Sequence, residues 1–320
     1  MKKIDKNEKV IEVKNLIKKY EKKTVVKGLS FDVYKGEILG FLGPNGSGKT
    51  TTINSILSIL KFNDGDVKIF GKKMSSKNYD IKRKIGVVFQ EIAVFDELTV
   101  EENIDYFCGL YIKNKKERKK CVEDAMNIVE ITNFKKYYPK KLSGGLLRRL
   151  NIACGIAHKP ELIFLDEPTV SVDPQSRNKI LDNIKELNEN GATIVYTTHY
   201  MEEVEELCDR IVILDEGKLI AEGTSDSLKE KSELHEKINI KIPEEYEEKL
   251  LEKIKNNKDI RAVNIGEDGI IKIEYIGGKN NLVRMINFLK EEDIPYDNIF
   301  MERPTLNDVF LELTGKGLRD

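Results

Sequence analysis

The chain has 320 residues, of which 40% are hydrophobic, so it is long enough for about two globular domains with buried cores. Its 54 lysines and arginines are balanced by 55 aspartates and glutamates, which excludes the overall basic field that would attract nucleic acid or an acidic membrane surface. No stretch approaches the roughly 18 apolar residues of a membrane-spanning helix, so we expect contact with a membrane only through a partner polypeptide.

The four cysteines show no C-x-x-C spacing and fall in segments that are typical of helices. This pattern argues against a zinc site and against a disulfide framework, and it favours a reducing, cytoplasmic compartment. The four positions are Cys108, Cys121, Cys154 and Cys208.

Before residue 225, short β-branched runs alternate with helical stretches. The runs "EILGFL", "KIGVVFQ", "ELIFLDE", "ATIVYTTH" and "RIVILDEG" predict an α/β domain with a mostly parallel sheet over residues 1–224. Residues 99–157 interrupt this pattern with a mostly helical insertion, in which Thr99 and Glu102 are spaced as a capping box. We therefore expect a helical subdomain within the first domain.

After residue 225 the chain becomes richer in lysine and glutamate. The order of its strand-like and helix-like segments is βαββαβ, which predicts a small α+β domain of the ferredoxin-like type over residues 225–320. No phosphate-binding or metal-binding motif occurs there, which indicates an accessory role.

The first chemical motif is "GFLGPNGSGKTT", which fits G-x-x-x-x-G-K-[ST] directly after an apolar strand and before a helical stretch. Its glycines let the backbone wrap phosphates, Lys49 neutralises their charge, and Thr50 offers a hydroxyl to Mg²⁺. An ordinary glycine-rich turn would not need this combination. The predicted ATP-binding residues are Gly43, Pro44, Asn45, Gly46, Ser47, Gly48, Lys49, Thr50 and Thr51.

The second motif is "ELIFLDEP", an apolar strand that ends in two adjacent acids. Such acids are costly unless they lie at the carboxyl end of the strand, where α/β sheets bind their ligands. Asp166 would hold Mg²⁺ and Glu167 would orient or deprotonate the attacking water. The alternative for an isolated Asp-Glu pair is the first turn of a helix, but here the pair follows a P-loop.

Together with these motifs, "VVFQE", "LSGGL", "SVDP" and "TTHYMEE" occur in an order and at a spacing that resemble the ATP-binding cassette ATPases over about residues 10–223. The resemblance implies that Gln90 contacts Mg²⁺ or the water and links the site to the helical insertion. It implies that His199 is the switch histidine near the γ-phosphate and that His199, Lys49 and Gln90 contribute to catalysis together with Glu167. Tyr20, ahead of the first long strand, matches the aromatic residue that stacks on adenine.

The same resemblance implies that the protein works as a dimer. Ser143, Gly144 and Gly145 match the signature that binds the γ-phosphate of ATP held by the opposite subunit, and Asp173 belongs to a loop that crosses the dimer interface. This chain departs from the family where Leu146 replaces the usual glutamine and where Ser171 and Val172 precede Asp173. The first departure removes a polar contact across the dimer. Neither departure argues for an inactive site, because Lys49, Asp166, Glu167 and His199 are all present.

The ending "ERPTLNDVFLELTGKGLRD" resembles that of ATPase subunits from bacterial drug and antibiotic exporters. It implies a cytoplasmic ATPase that is peripheral on the inner face of the cell membrane and binds ATP and Mg²⁺. Its expected partners are separate permease subunits, and we expect it not to bind nucleic acid. One alternative is a soluble ATPase of the same family that acts on ribosomes or DNA, although such proteins commonly carry two cassettes or a coiled coil. A P-loop kinase or GTPase is a second alternative, which leaves "LSGG" and His199 without a role.

Overall fold

The computed structural model of the protein divides the chain into two compact units, the first ending at Ser225 and the second beginning at Asp226. The residues that it describes are 4–21, 23–231, 236–255, 257–266, 269–276, 280–302 and 304–315.

The first unit contains two sheets and a series of helices. Its strands are β1 (Asp5–Tyr20), β2 (Lys23–Lys35), β3 (Ile38–Leu42), β4 (Asp64–Ile69), β5 (Lys72–Lys73), β6 (Ile85–Val88), β7 (Leu162–Asp166), β8 (Thr193–Thr198), β9 (Arg210–Asp215) and β10 (Lys218–Gly223). The helices of this unit are α1 (Lys49–Ile56), α2 (Tyr79–Lys82), α3 (Val100–Gly109), α4 (Lys115–Ile128), α5 (Gly144–Ile156), α6 (Pro174–Glu189) and α7 (Met201–Leu207). Helix α8 (Ser225–Lys231) begins at the boundary, and its residues 226–231 belong to the second unit.

The central sheet has the strand order β10-β9-β3-β8-β7-β6. All neighbouring pairs in it are parallel except β10 with β9. Strands β3, β7 and β8 are buried along their whole length, which is typical of parallel strands covered on both faces. Because parallel strands share one direction, the loops that follow β3, β6, β7 and β8 all lie at one edge of the sheet. The α/β prediction is thereby confirmed.

A second, antiparallel sheet has the order β2-β1-β4-β5, and the sequence patterns did not predict it. The sequence analysis placed Tyr20 ahead of the first long strand. In the structure Tyr20 is instead the last residue of the long strand β1. The register between β1 and β2 shifts at several points, which breaks the regular alternation of apolar and polar residues. This irregularity explains why the alternation was not recognised.

The segment between β6 and β7 is helical and contains α3, α4 and α5, with two short 3₁₀ turns, Thr132–Phe134 and Pro139–Lys141, between α4 and α5. The capping box at the start of α3 is confirmed, since the Thr99 hydroxyl accepts from the Glu102 amide and the Glu102 carboxylate accepts from the Thr99 amide. Apolar side chains from all three helices share a core with residues of the central sheet. The helical segment is thus packed on the sheet that carries the motifs.

The second unit has strands β11 (Lys237–Lys241), β12 (Ile260–Ile265), β13 (Ile271–Tyr275) and β14 (Asn298–Glu302), and helices α9 (Glu247–Ile254), α10 (Asn281–Glu291) and α11 (Leu306–Thr314). The strands form an antiparallel sheet in the order β12-β13-β11-β14. Leu250 of α9 and Leu289 of α10 pack with Ile240 and Ile273 in its core. In α11, Val309 and Phe310 are buried, whereas Leu313 is exposed.

The cysteines mostly lie where the helical patterns place them. Cys108, Cys121 and Cys154 are buried in α3, α4 and α5, but Cys208 follows the last residue of α7 and so lies outside the helix that the sequence predicted. None of these four cysteines, all of which lie in the described residues, takes part in a disulfide. None of the helices in the described residues has the length and apolar composition needed to cross a bilayer.

Candidate functional site

The loop between β3 and α1 contains the glycine-rich motif. A Cβ atom at Gly43 would lie 2.3 Å from the Leu214 carbonyl oxygen and 2.7 Å from Ser47 Oγ, so only glycine fits there. Gly48 has φ +102° and precedes α1 without providing a side-chain cap, which leaves the first amide groups of the helix for another acceptor. An uncapped helix N-terminus behind such a loop is suited to binding phosphate.

The side chains of this loop leave hydrogen-bonding capacity free for a ligand. Ser47 Oγ is buried and, within the described part of the chain, has no hydrogen-bond partner. Thr50 is exposed and Thr51 is half-buried in the first turn of α1. The tip of the loop is accessible, with Asn45 and Gly46 exposed and Pro44 half-buried.

Lys49 lies in a buried cluster of charges at the base of this loop. Its ammonium group donates to the Gly43 carbonyl oxygen at 2.7 Å and lies 3.2 Å from Glu167 Oε1. The other carboxylate oxygen, Glu167 Oε2, lies 3.3 Å from His199 Nδ1. The structure therefore brings together three residues that the sequence analysis assigned to catalysis from three separate motifs.

Asp166 and Glu167 are adjacent in sequence but meet different surroundings. Both are buried, and Asp166 is the last residue of β7. Asp166 Oδ1 accepts a hydrogen bond of 2.5 Å from Thr197 Oγ1, while the Glu167 carboxylate contacts Lys49 and His199. No lysine, arginine or histidine of the described residues lies within 4 Å of the Asp166 carboxylate, so its charge is free to hold a cation.

Another buried carboxylate, that of Glu203 in α7, supports the strand that leads to His199. Glu203 Oε2 accepts hydrogen bonds of 2.7 Å from the hydroxyl groups of Tyr196 and Thr198. Glu203 Oε1 lies 2.7 Å from Arg177 Nε of α6. Burial, together with the nearby Glu203 carboxylate, raises the pKa of Tyr196, so its hydroxyl remains a donor. The network connects the end of β8 to the helix that follows Asp173.

Gln90 is exposed, two residues beyond β6. Its backbone is held by α5, because Arg148 Nη1 donates to the Gln90 carbonyl oxygen at 2.7 Å. Burial lowers the pKa of the Arg148 guanidinium group. The group still donates a hydrogen bond to the Gln90 carbonyl oxygen. The side chain of Asn151, also in α5, accepts from the Ala93 amide at 3.1 Å. The segment around Gln90 is thus attached directly to the helix that begins with the signature glycines.

The signature residues lie at the start of α5, where Ser143 caps the helix and Gly144 is exposed with open space around it. Gly145 is closely packed, because a Cβ there would lie 2.1 Å from Ser176 Oγ of α6. Asp173 caps α6, and its hydrogen bond from the Ser176 amide lowers its pKa. Within the described residues, no hydrogen bond or ion pair joins residues 143–145 to the P-loop.

A cavity of about 480 Å³ opens beside the signature. Ser143 and Leu146 of α5 line one part of it, and Gln175 and Ser176 of α6 line another. Leu146, which stands where the family has glutamine, is half-buried against the core. Its apolar side chain offers no hydrogen bond to the cavity.

Tyr20 is separate from these clusters. Its side chain is 42% exposed, and the Lys18 ammonium group lies 4.5 Å from the centre of its ring. The ring is therefore accessible to a flat ligand such as a purine.

The sequence analysis did not identify Thr197, Thr198, Glu203 or Arg177. One signal was present, since a parallel strand buried on both faces normally carries apolar residues and β8 ends in two threonines. A hydroxyl at the carboxyl end of such a strand needs a partner, and here the partners are carboxylates of neighbouring elements.

Comparisons with known proteins match this architecture. The ABC transporter family matches residues 26–170. The linearmycin resistance ATP-binding protein LnrL of Bacillus subtilis (strain 168) is 39% identical over 314 residues, which cover 97% of this chain and 100% of that protein. The chain belongs to the ABC transporter family of ATP-binding proteins.

Two further similarities extend the assignment of this ABC ATPase. The Nod factor export ATP-binding protein I of Burkholderia orbicola (strain AU 1054) is 32% identical, covering 97% of this chain and 98% of that protein. A dimeric post-hydrolysis structure of the ATP-binding cassette MJ0796, bound to ADP and Pi, superposes with a TM-score of 0.62 at 31% identity. It covers 67% of this chain and 98% of that one.

The ABC ATPase thus has the α/β P-loop fold, binds nucleotide and hydrolyses ATP as a subunit of a transporter. Neither curated relative is described as acting on ribosomes or DNA, so that alternative is not favoured.

Proposed function

We propose that this ABC ATPase drives export of a drug, antibiotic or lipid-like compound through separate permease subunits at the inner face of the cell membrane. The proposal is supported by relatives that match nearly the whole chain and are named for linearmycin resistance and for Nod factor export. The observation that carries the catalytic part is the Glu167 carboxylate, which lies between Lys49 and His199 at 3.2 and 3.3 Å.

In the proposed reaction, the amide groups of the P-loop and the Lys49 ammonium group bind the phosphates of ATP. Lys49 would exchange its contact with the Gly43 carbonyl oxygen for phosphate oxygens, which are stronger acceptors. Glu167 would then be released from Lys49 and free to orient and deprotonate the attacking water. His199, whose Nδ1 lies 3.3 Å from the Glu167 carboxylate at this edge of the sheet, would contact the γ-phosphate.

The residues present fit a magnesium ion. Asp166 has an unpaired negative charge in the described structure, and Thr50 and Gln90 present exposed side chains at the same edge of the sheet. Mg²⁺, when bound, neutralises charge on the phosphate oxygens. We infer that Thr50, Gln90 and Asp166 hold it there.

We also propose that two copies form composite sites, with Ser143, Gly144 and Gly145 of one copy covering the ATP held by the other, and Asp173 at the interface. The exposed Gly144 and the neighbouring cavity leave this surface accessible. In one test, Lys49→Ala and Ser143→Arg homodimers should each be inactive, whereas co-expressed, doubly tagged heterodimers should recover up to half of the sites. Heterodimers no more active than either homodimer would contradict the arrangement.

For the second unit we propose a ferredoxin-like accessory domain that supports dimerisation or coupling to the permease, with the boundary near residue 225. Its βαββαβ element order and its sheet order β12-β13-β11-β14 support this assignment.

The experiment that tests the catalytic proposal is Glu167→Gln, which keeps the shape and removes the negative charge. The variant should retain ATP binding while turnover falls by about 100-fold or more, because the water loses its base. Glu161→Gln is a matched control, since Glu161 lies just before β7 and forms an exposed ion pair with Lys84. If Glu167→Gln hydrolyses ATP at nearly the rate of the parent protein, another residue is the base.

A further inference from the structure

Strand β8 ends in two threonines that serve different groups. Thr198 donates to Glu203 of α7, and the preceding Thr197 donates to Asp166 of β7. Successive side chains of a strand point to opposite faces, so the two hydroxyl groups meet different neighbours. Thr197 is fully buried, which makes the partners of its hydroxyl a structural requirement.

The Thr197 hydroxyl contacts both residues of the "DE" pair, the side chain of Asp166 and the backbone amide of Glu167. It donates to Asp166 Oδ1 at 2.5 Å and accepts from the Glu167 amide at 3.0 Å. The same amide lies 3.2 Å from the Thr197 carbonyl oxygen, and the parallel register places Asp166 directly beside Thr197. The one hydroxyl therefore donates to Asp166 and accepts from Glu167, which are consecutive residues.

The backbone at Glu167 needs such support. Its φ of +47° lies in the left-handed region, and it precedes Pro168, which further restricts its conformation. A residue in this region is retained only where its surroundings hold it. The bond from the Glu167 amide to Thr197 fixes the turn that directs this carboxylate to Lys49 and His199.

We propose that Thr197 is a positioning residue for hydrolysis: its hydroxyl sets the relative orientation of the Asp166 and Glu167 carboxylates. It holds one oxygen of Asp166 and leaves the other available, and it anchors the strained turn that carries Glu167. The inference rests on the proposed roles of Asp166 and Glu167, and it adds a residue that touches neither the nucleotide nor the water.

The test compares variants in the full-length protein. Thr197→Val has nearly the same shape without the hydroxyl, and Thr197→Ser restores the hydroxyl without the methyl group. Thr193→Val is the matched control, because Thr193 is a buried threonine at the other end of β8 whose hydroxyl accepts from the Gly36 amide at 3.0 Å. Thr197→Ala replaces the valine variant if valine prevents folding.

We expect kcat to fall about 10- to 100-fold in Thr197→Val, the usual effect of losing a group that orients a metal ligand or catalytic residue. The affinity for a fluorescent ATP analogue in EDTA should remain within about twofold of the parent protein, because the P-loop is unchanged. The gain in that affinity on adding Mg²⁺ should shrink. Thr197→Ser should recover most of both losses, and Thr193→Val should show neither.

Three results would overturn the inference: parent-like kcat and Mg²⁺ response in Thr197→Val, equal losses in Thr197→Ser, or the same losses in Thr193→Val. Glu167→Gln in the same assays separates the two proposals. If Glu167→Gln retains turnover, the proposed catalytic role fails. If Glu167→Gln is inactive and Thr197→Val is normal, only the role of Thr197 fails.

Discussion

Glu203 and Glu206 lie one turn apart in α7, and each has a carboxylate oxygen 2.7 Å from a cation of α6. Glu203 is fully buried against Arg177, while the side chain of Glu206 is 50% exposed beside Lys185. The two ion pairs have the same length and join the same helices, but Glu203 is buried and also accepts hydrogen bonds from two hydroxyl groups. Replacing each glutamate by glutamine measures what this buried, hydrogen-bonded setting contributes.

The expected cost of Glu203→Gln follows from its partners. Two hydroxyl groups donate to its carboxylate, and a hydrogen bond to a charged group is stronger than a neutral one by about 1 kcal/mol, so the two lose about 2 kcal/mol. The lost attraction to Arg177, which is 28% exposed, adds about 1 kcal/mol. We therefore expect a loss of about 3 kcal/mol, against about 0.5 kcal/mol for Glu206→Gln.

Urea unfolding at pH 7, followed by circular dichroism, measures both variants against the parent protein. Because the chain has two compact units, the comparison uses the transition that shifts with mutations in the first unit. A difference between the variants below about 1 kcal/mol would refute the reasoning that the buried, hydrogen-bonded carboxylate of Glu203 contributes more stability than the exposed carboxylate of Glu206.

Two further predictions concern the signature and a buried histidine. Gly145→Ala should destabilise the fold by about 1–3 kcal/mol, because the added Cβ would lie 2.1 Å from Ser176 Oγ. The control Gly144→Ala meets open space and should leave the urea midpoint of unfolding nearly unchanged. Equal midpoints in the two variants would contradict the close packing at Gly145. Burial lowers the pKa of His158, which stacks on Tyr111 at 3.8 Å. The unfolded chain therefore binds that proton more tightly, so stability is present above about pH 6.5 and falls as the pH drops through that value towards the lower folded pKa. His158→Phe should keep a ring stacked on Tyr111 and flatten this pH dependence, which urea unfolding between pH 5 and 8 measures. An unchanged dependence of stability on pH in the variant would assign that dependence to other groups.

The sequence by itself determined the features that are encoded locally. The run from Gly43 to Thr51 specifies a turn and a helix start through its glycines, and "ELIFLDEP" specifies a buried strand that ends in two acids. Thr99 and Glu102 specified a helix N-terminus for the same reason, since a capping box lies within four residues of chain. The expected chemistry of Lys49 also follows from its position in the P-loop motif.

Only the tertiary structure decided which of these features meet. The antiparallel sheet of β1, β2, β4 and β5 was not predicted, because the shifted register of β1 and β2 disrupts the alternation that marks a strand. The hydrogen bond from Thr197 to Asp166 joins residues 31 positions apart and depends on β7 and β8 being neighbours in the sheet. Periodicity reports which face of an element is buried, but it carries no information on which element covers that face. The partners of Glu167, Gln90 and Glu203 therefore follow from the strand order and helix packing of the whole unit, which no short stretch of sequence contains.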